Sequence, residues 1–301
     1  MMGITELAPA KLNLTLDVGA RRPDGYHDIT SIMQSAALYD VVALDFSKAD
    51  GIAIECPGTD LPTGPDNLAW KAADVFFRET NIPRAGISIR LEKKIPSQAG
   101  LGGGSSDAAA VLRGMRRLFH ADVSDESLEA MAARVGSDVP YCIRGVTALA
   151  QGRGERLTVL PALPMCWFVI VKPPVANSTA AMYRKLDEIS ISERPDSDRM
   201  VDALKNGDLA QVCRLVGNVF EQALPPDSEV FAIRRQLSEL GADAACMTGS
   251  GSAVMGLFRQ EETARLAARE LQKGRTAGAS AVRPGGHVSG PASLSWPEDS
   301  S

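Results

Sequence analysis

The stretch Pro96-Ser97-Gln98-Ala99-Gly100-Leu101-Gly102-Gly103-Gly104-Ser105-Ser106-Asp107 decides how this chain is read. Upstream, Ile87, Ile89 and Leu91 alternate with Ser88, Arg90 and Glu92, the period of a strand. Downstream, Ala108, Leu112, Met115 and Phe119 fall on one face of a helix. A glycine-rich turn between a strand and a helix can aim several backbone N–H groups at one point. The helix adds its positive end, and polyphosphate is the usual occupant of such a site. Ser105 or Ser106 is expected to cap the helix, with Asp107 in its first turn. Neither G-x-x-x-x-G-K-S/T nor G-x-G-x-x-G occurs, which excludes a Walker loop and a dinucleotide fingerprint.

Composition narrows what surrounds this turn. The 301 residues suffice for two domains with cores, and 45% hydrophobic with 23% charged residues reads as soluble and globular. A net charge of -5 gives no basic field for nucleic acid, so polyphosphate must be met locally by loop amides, a few lysines and a metal ion. The five cysteines are scattered with no C-x-x-C pair, and the three histidines lack zinc spacing; reduced core thiols in a cytoplasm are expected. The N-terminus has no basic-then-apolar signal, and no apolar run approaches ~18 residues, so neither export nor membrane insertion is expected.

Along the chain, Leu12, Leu14, Leu16 and Val18 alternate with Asn13, Thr15 and Asp17 as a half-buried strand. Short strands follow at 41–46 and 52–56, then a helix over 66–79 capped by Asp66 or Asn67, and another from Ser124 to Gly136. A break falls near Leu160-Pro161-Ala162-Leu163-Pro164. This gives an N-terminal domain over 1–160 and a C-terminal one over 161–283, with a Gly-, Pro- and Ser-rich tail at 284–301 expected to be poorly ordered. The second half reads as a strand at 168–171, helices at about 199–222, 228–240 and 260–273, and strands near 244–248 and 253–258.

Three further polar segments are weak signals alone. Lys11 and Asn13 stand opposite Leu12 and Leu14, and by themselves read as an exposed strand face. Asp138 in Gly136-Ser-Asp-Val-Pro140 reads as a turn or cap residue, and Gly249-Ser250-Gly251 as a tight turn. In order along the chain, Pro9-Ala10-Lys11-Leu12-Asn13, the 96–107 stretch and Gly249-Ser250-Gly251 resemble the three motifs of the galactokinase–homoserine kinase–mevalonate kinase–phosphomevalonate kinase (GHMP) superfamily. Lys11-Leu-Asn-Leu14, Arg22-Pro-Asp-Gly-Tyr-His27, Pro65-Asp-Asn-Leu-Ala69 and the 136–140 segment resemble its branch that acts on a cytidine-diphosphate-linked methylerythritol, and the likeness runs to about residue 283.

That resemblance implies an ATP- and Mg²⁺-dependent kinase that phosphorylates the 2-hydroxyl of this small alcohol in the non-mevalonate isoprenoid route, working as a monomer or weak homodimer. The alternatives are a homoserine or mevalonate type of alcohol kinase, against which Asp-Gly-Tyr-His counts, and a silent ATP-binding module, against which Lys11 and Asp138 count. Asp138 matches the base that takes the proton of the attacking hydroxyl, and Lys11 the lysine beside it that favours the carboxylate and steadies the transferring group. Ser97, Gln98, Ala99, Gly100, Leu101, Gly102, Gly103, Gly104, Ser105, Ser106 and Asp107 would hold the phosphates, with Lys94 as a further phosphate contact. Asn67 would border the adenine. Tyr26 and Tyr183 would sandwich cytosine, His27 would bond its edge, Thr179 would reach the substrate, and Asn13 would orient the methylerythritol end. Ser252 departs from the proline more usual there, and Ser97-Gln98-Ala99 replaces smaller residues. The fold implied is α+β in two domains: a mixed α/β nucleotide domain with a left-handed βαβ unit, and a ferredoxin-like sandwich.

Overall fold

The computed structural model describes residues 3–273, 279–285 and 289–291. β1 (Ile4–Arg21) and β2 (His27–Phe46) form a long antiparallel hairpin. β3 (Ile52–Glu55), α1 (Leu68–Glu79) and β4 (Ile87–Glu92) make a βαβ unit in which the two strands pair in parallel. α2 (Gly103–Leu118), α3 (Asp125–Val135) and α4 (Val139–Arg144) follow, then a hairpin of β5 (Ala148–Gly152) and β6 (Arg156–Val159). Beyond it come β7 (Trp167–Val171), α5 (Thr179–Asp187), α6 (Ser197–Lys205), α7 (Leu209–Leu215), β8 (Gly217–Asn218) and a 3₁₀ turn over Val219–Ala223. The described chain ends with α8 (Glu229–Glu239), β9 (Ala244–Met247), β10 (Val254–Phe258), α9 (Glu261–Lys273), β11 (Ala279–Val282) and β12 (Ser289–Pro291).

Two sheets result. The first runs β12-β1-β2-β4-β3, with β5 pairing the first half of β2 and β8 lying on β1. The second is antiparallel throughout, in the order β11-β7-β10-β9. With α8 before β9 and α9 before β11, it has the βαββαβ layout of a ferredoxin-like sandwich. Asn67 caps α1 through a bond from Ala69 N to Oδ1 (2.9 Å), and Ser124 caps α3, which stops at Gly136.

The first strand is not half-buried. Every residue from Ala8 to Leu16 is buried, because helices cover one face of the sheet and the C-terminal half covers the other. Register shifts at Pro9/Ala10 and Asn13/Thr15 divide its apolar residues between two cores. Ala8, Leu16 and Val18 share a core with Phe76 of α1 and Val111 and Met115 of α2. Ala10, Leu12 and Leu14 pack with Phe168, Met200 and Met255.

Other expectations change as well. The strand expected at 41–46 is the end of the 20-residue β2, which exchanges β5 for β4 as its partner along the way. The helix expected over 199–222 is broken: Gly207 takes φ 64°, Asp208 caps a new helix, and the chain then extends into β8. Within the tail expected to be poorly ordered, Pro284 bridges Ala36 and Ser289–Pro291 pair with Ile4–Glu6. Its remainder, 286–288 and 292–301, lies outside the described residues. β8 and β12 both come from beyond residue 160 yet complete the first sheet.

Candidate active site

The glycine stretch leaves β4 and enters α2 as expected, but the cap differs. Gly102, at φ 67°, is the N-cap and offers no side chain, while Ser105 and Ser106 fall inside the first turn. The left-handed backbone favours glycine, and a Cβ at Gly102 would lie 2.6 Å from Lys11 Cγ. The first amides of this 16-residue helix therefore lack a side-chain cap and face a cleft of about 1110 Å³. Residues 97–105 and Asp107 line that cleft; Ser106, fully buried, and Lys94 do not.

Two backbone seams fix the loop. Lys11 N donates to Leu101 O (2.9 Å), docking β1 beneath it, and Ala253 N donates to Ala99 O (3.0 Å), docking the second glycine turn beside it. A Cβ on Gly100 would fall 2.2 Å from Thr248 O, so the two turns meet backbone to backbone. Asn13 ties the same parts together. Its Oδ1 accepts from Lys11 Nζ (2.8 Å) and Gly249 N (3.0 Å), its N donates to Thr248 Oγ1 (3.0 Å), and its Nδ2 donates to Ser31 Oγ (2.8 Å). Most of its hydrogen-bonding capacity is used inside the protein.

Lys11 is 5% exposed, not on an open strand face, and its Nζ lies 3.5 Å from Asp138 Oδ2. Asp138 stands at the start of α4 but makes no capping bond, because its own backbone is already helical at φ -85°, ψ -12°. The carboxylate is thus left facing Lys11, with a third of its side chain open to solvent.

The lysine that lines the cleft from the β4 side is Lys93, not Lys94. Its ammonium is held between the carboxylates of Asp40 and Asp107. Asp40 Oδ1 also accepts from Lys94 N and Ile95 N, which anchors the start of the loop. Burial pushes the Asp107 carboxyl up, to about 7, with the charge of Asp40 adding to it and Lys93 opposing. Burial alone would lower Lys93, but the two carboxylates raise it. Asp107 Oδ1 and Ser106 Oγ are buried without a hydrogen-bond partner.

Asn67 also lines the cleft and spends its side chain on Ala69 N and Pro62 O. Tyr26 is 52% exposed, with the Arg153 guanidinium 4.7 Å from its ring centre. Tyr183 stacks on the buried His27 (4.9 Å, 26°) and meets Phe220 edge-on. The two tyrosines therefore line one cleft, Tyr26 beside Arg153 and Tyr183 against His27. His27 Nε2 donates to Asp187 Oδ1 (2.8 Å), and Thr179 Oγ1 bonds Ser250 Oγ (2.8 Å). Arg153, Asp187 and Lys93 belong to no motif quoted above. The inward turn of Lys93 follows from continuing the strand alternation past Leu91. Burial raises all five thiols, Cys142 and Cys166 to about 12, which makes them core residues and not nucleophiles.

The model of the GHMP kinases N terminal domain matches residues 67–146, and that of the GHMP kinases C terminal domain residues 200–275. The 4-diphosphocytidyl-2-C-methyl-D-erythritol kinase of Exiguobacterium sibiricum is 43% identical over 265 residues, 88% of this chain and 92% of that protein. The chain belongs to the 4-diphosphocytidyl-2-C-methyl-D-erythritol kinase family of GHMP kinases. The member from Moorella thermoacetica is 45% identical over 277 residues, covering 90% of this chain and 95% of its own. A crystal structure of a kinase of this family superposes with a TM-score of 0.78 at 34% identity, covering 94% of this chain and 100% of the other. A homoserine kinase from Cytophaga hutchinsonii, at 20% identity and TM-score 0.75 over 96% of this chain and 98% of its own, shares the fold. No described helix is long and apolar enough to cross a membrane.

Proposed function

We propose that this kinase transfers the γ-phosphoryl group of ATP to the 2-hydroxyl of 4-(cytidine 5'-diphospho)-2-C-methyl-D-erythritol. The observation that carries the reading is the Lys11–Asp138 pair, 3.5 Å apart on the cleft that the uncapped start of α2 also faces. Phosphoryl transfer asks the protein chiefly for in-line positioning and for donors where negative charge spreads. Amides of the 97–107 loop would hold the terminal phosphates. Asp138 would take the hydroxyl proton, while Lys11 keeps its carboxylate company and meets the transferring group. Tyr26, His27, Thr179 and Tyr183 would receive the cytidine end.

Bound Mg²⁺ would neutralise phosphate charge. Asp107, which lines the cleft and has one carboxylate oxygen without a partner, suits contact with a hydrated ion. Among the described residues there is no group of three His, Cys, Asp or Glu that could cage a metal, which fits an ion carried mainly by phosphates and water. The free cysteines support a reducing, cytoplasmic setting.

The test is incubation of the purified protein with ATP, Mg²⁺ and the diphosphocytidyl alcohol. ADP release is followed, and the new phosphate is located by NMR. A phosphomonoester on the 2-oxygen is the expected product. No ADP above the blank, or equal turnover of homoserine or mevalonate, overturns the reading.

A further inference from the structure

The cleft carries a carboxylate that the phosphoryl-transfer machinery does not use. Asp187, at the end of α5, reaches across to the β1–β2 turn and accepts from His27 Nε2 at 2.8 Å. Both residues line the cleft beside Tyr26 and Tyr183. This is the only side-chain hydrogen bond of Asp187 among the described residues, so Oδ2 retains its lone pairs. A carboxylate only accepts, so the shared proton sits on Nε2, and in the neutral imidazole this tautomer makes Nδ1 an acceptor. The stack on Tyr183 holds the imidazole plane. With the ring in this tautomer, the remaining hydrogen-bonding positions of the pair, Oδ2 and Nδ1, are both acceptors.

Pyrimidine bases differ at this point of their edge. Cytosine presents a 4-amino group with N–H donors, whereas uracil presents a 4-oxo acceptor. An acceptor pair pairs with the first and repels the second; the sharper part of this discrimination falls to the buried His27, since the Asp187 side chain is 37% open to solvent. We propose that Asp187 is a specificity residue that selects an amino-pyrimidine over an oxo-pyrimidine, directly through Oδ2 and indirectly by fixing the His27 tautomer. The proposal rests on the cytidine-substrate reading above.

The test compares kcat/KM for the cytidine-diphosphate alcohol and its uridine counterpart in wild type, Asp187→Ala and Asp187→Asn, with KM for ATP as control. Wild type should prefer cytidine on the order of 10- to 100-fold. Asp187→Ala should bring the ratio to within a few-fold of one, with ATP unaffected. Asp187→Asn keeps size but adds a donor, so it should raise uridine turnover in absolute terms. A merely structural role would lower both substrates together, so an unchanged ratio in the variants overturns the proposal whatever the overall rate. Calorimetric binding of CDP against UDP gives the same ratio without turnover. A wild type that binds CDP selectively through Asp187 yet phosphorylates nothing would therefore defeat the proposed function and leave the base selection standing. Equal binding of CDP and UDP by wild type would defeat the selection.

Discussion

Gly102→Ala tests the geometry of the site with one methyl group. The new Cβ would lie 2.6 Å from Lys11 Cγ and 3.3 Å from its Cε. Ordinary carbon contacts need about 3.5–4.0 Å, so the lysine stem must move by roughly 1 Å. Its ammonium now sits 2.8 Å from Asn13 Oδ1 and 3.5 Å from Asp138 Oδ2, and such a shift changes both contacts. A misplacement of about 1 Å at a reacting centre costs on the order of 10²-fold in rate. The left-handed backbone at φ 67° adds roughly 1–2 kcal/mol of destabilisation for a residue with a Cβ. The expected outcome is a kcat lower by about 10²-fold in a protein that still folds, read by ADP release and a melting curve. If the effect runs through Lys11, Gly102→Ala placed on Lys11→Ala should add little, because both changes remove the same contact. Losses that multiply, or a kcat for Gly102→Ala within about threefold of wild type, would refute the reasoning.

Asp138→Asn should lower kcat by roughly 10²–10⁴-fold while calorimetry still detects ATP binding; near-normal turnover would remove Asp138 as the base. The raised Asp107 carboxyl, at about 7 in the fold, makes the folded state bind a proton that the unfolded chain has released. Its contribution to stability is therefore lost as pH rises from about 4 to about 7, by at most about 1.4 kcal/mol per pH unit. Urea unfolding between pH 5 and 8 should show wild type losing ground to Asp107→Asn, and the opposite slope would contradict the assignment. Glu6→Ala leaves the buried Arg113 without the carboxylate that meets its Nε at 3.2 Å, and should cost roughly 3–5 kcal/mol in urea unfolding. A loss below about 1 kcal/mol would mean that the Leu7 and Cys142 carbonyls suffice for the guanidinium.

The parts of the fold legible in the sequence are those governed by neighbours in the chain. The Ile87–Leu91 alternation, the Asn67 and Ser124 caps, and the glycine turn into α2 are all local signals, and the structure has them where they were read. Lys11 shows the limit. Nothing within the strand says that its polar face will be roofed by residues more than two hundred positions later, such as Thr248 and Gly249. Serine propensity points to Ser105 or Ser106 as the cap, but the close approach of Lys11 demands a residue without Cβ one turn earlier, at Gly102. Nearness to the loop singles out Lys94, whereas the strand alternation continued past Leu91 turns Lys93 toward Asp40 and the cleft. The motifs brought Tyr26, His27 and Tyr183 into one cleft, but the neighbours of each ring depend on Arg153 and Asp187, whose segments carry no pattern of their own.

The stitching of Asn13 to Thr248 and Gly249, together with the contact of Gly100 against Thr248, bears on how such a kinase can diversify. Neither half owns the cleft, since the 97–107 loop is braced by one and seated on the other. Recombining the halves of two relatives would succeed only where both sides of this joint travel together. A change in what the cleft accepts is then more easily gained by exchanging side chains along α5 than by trading whole modules.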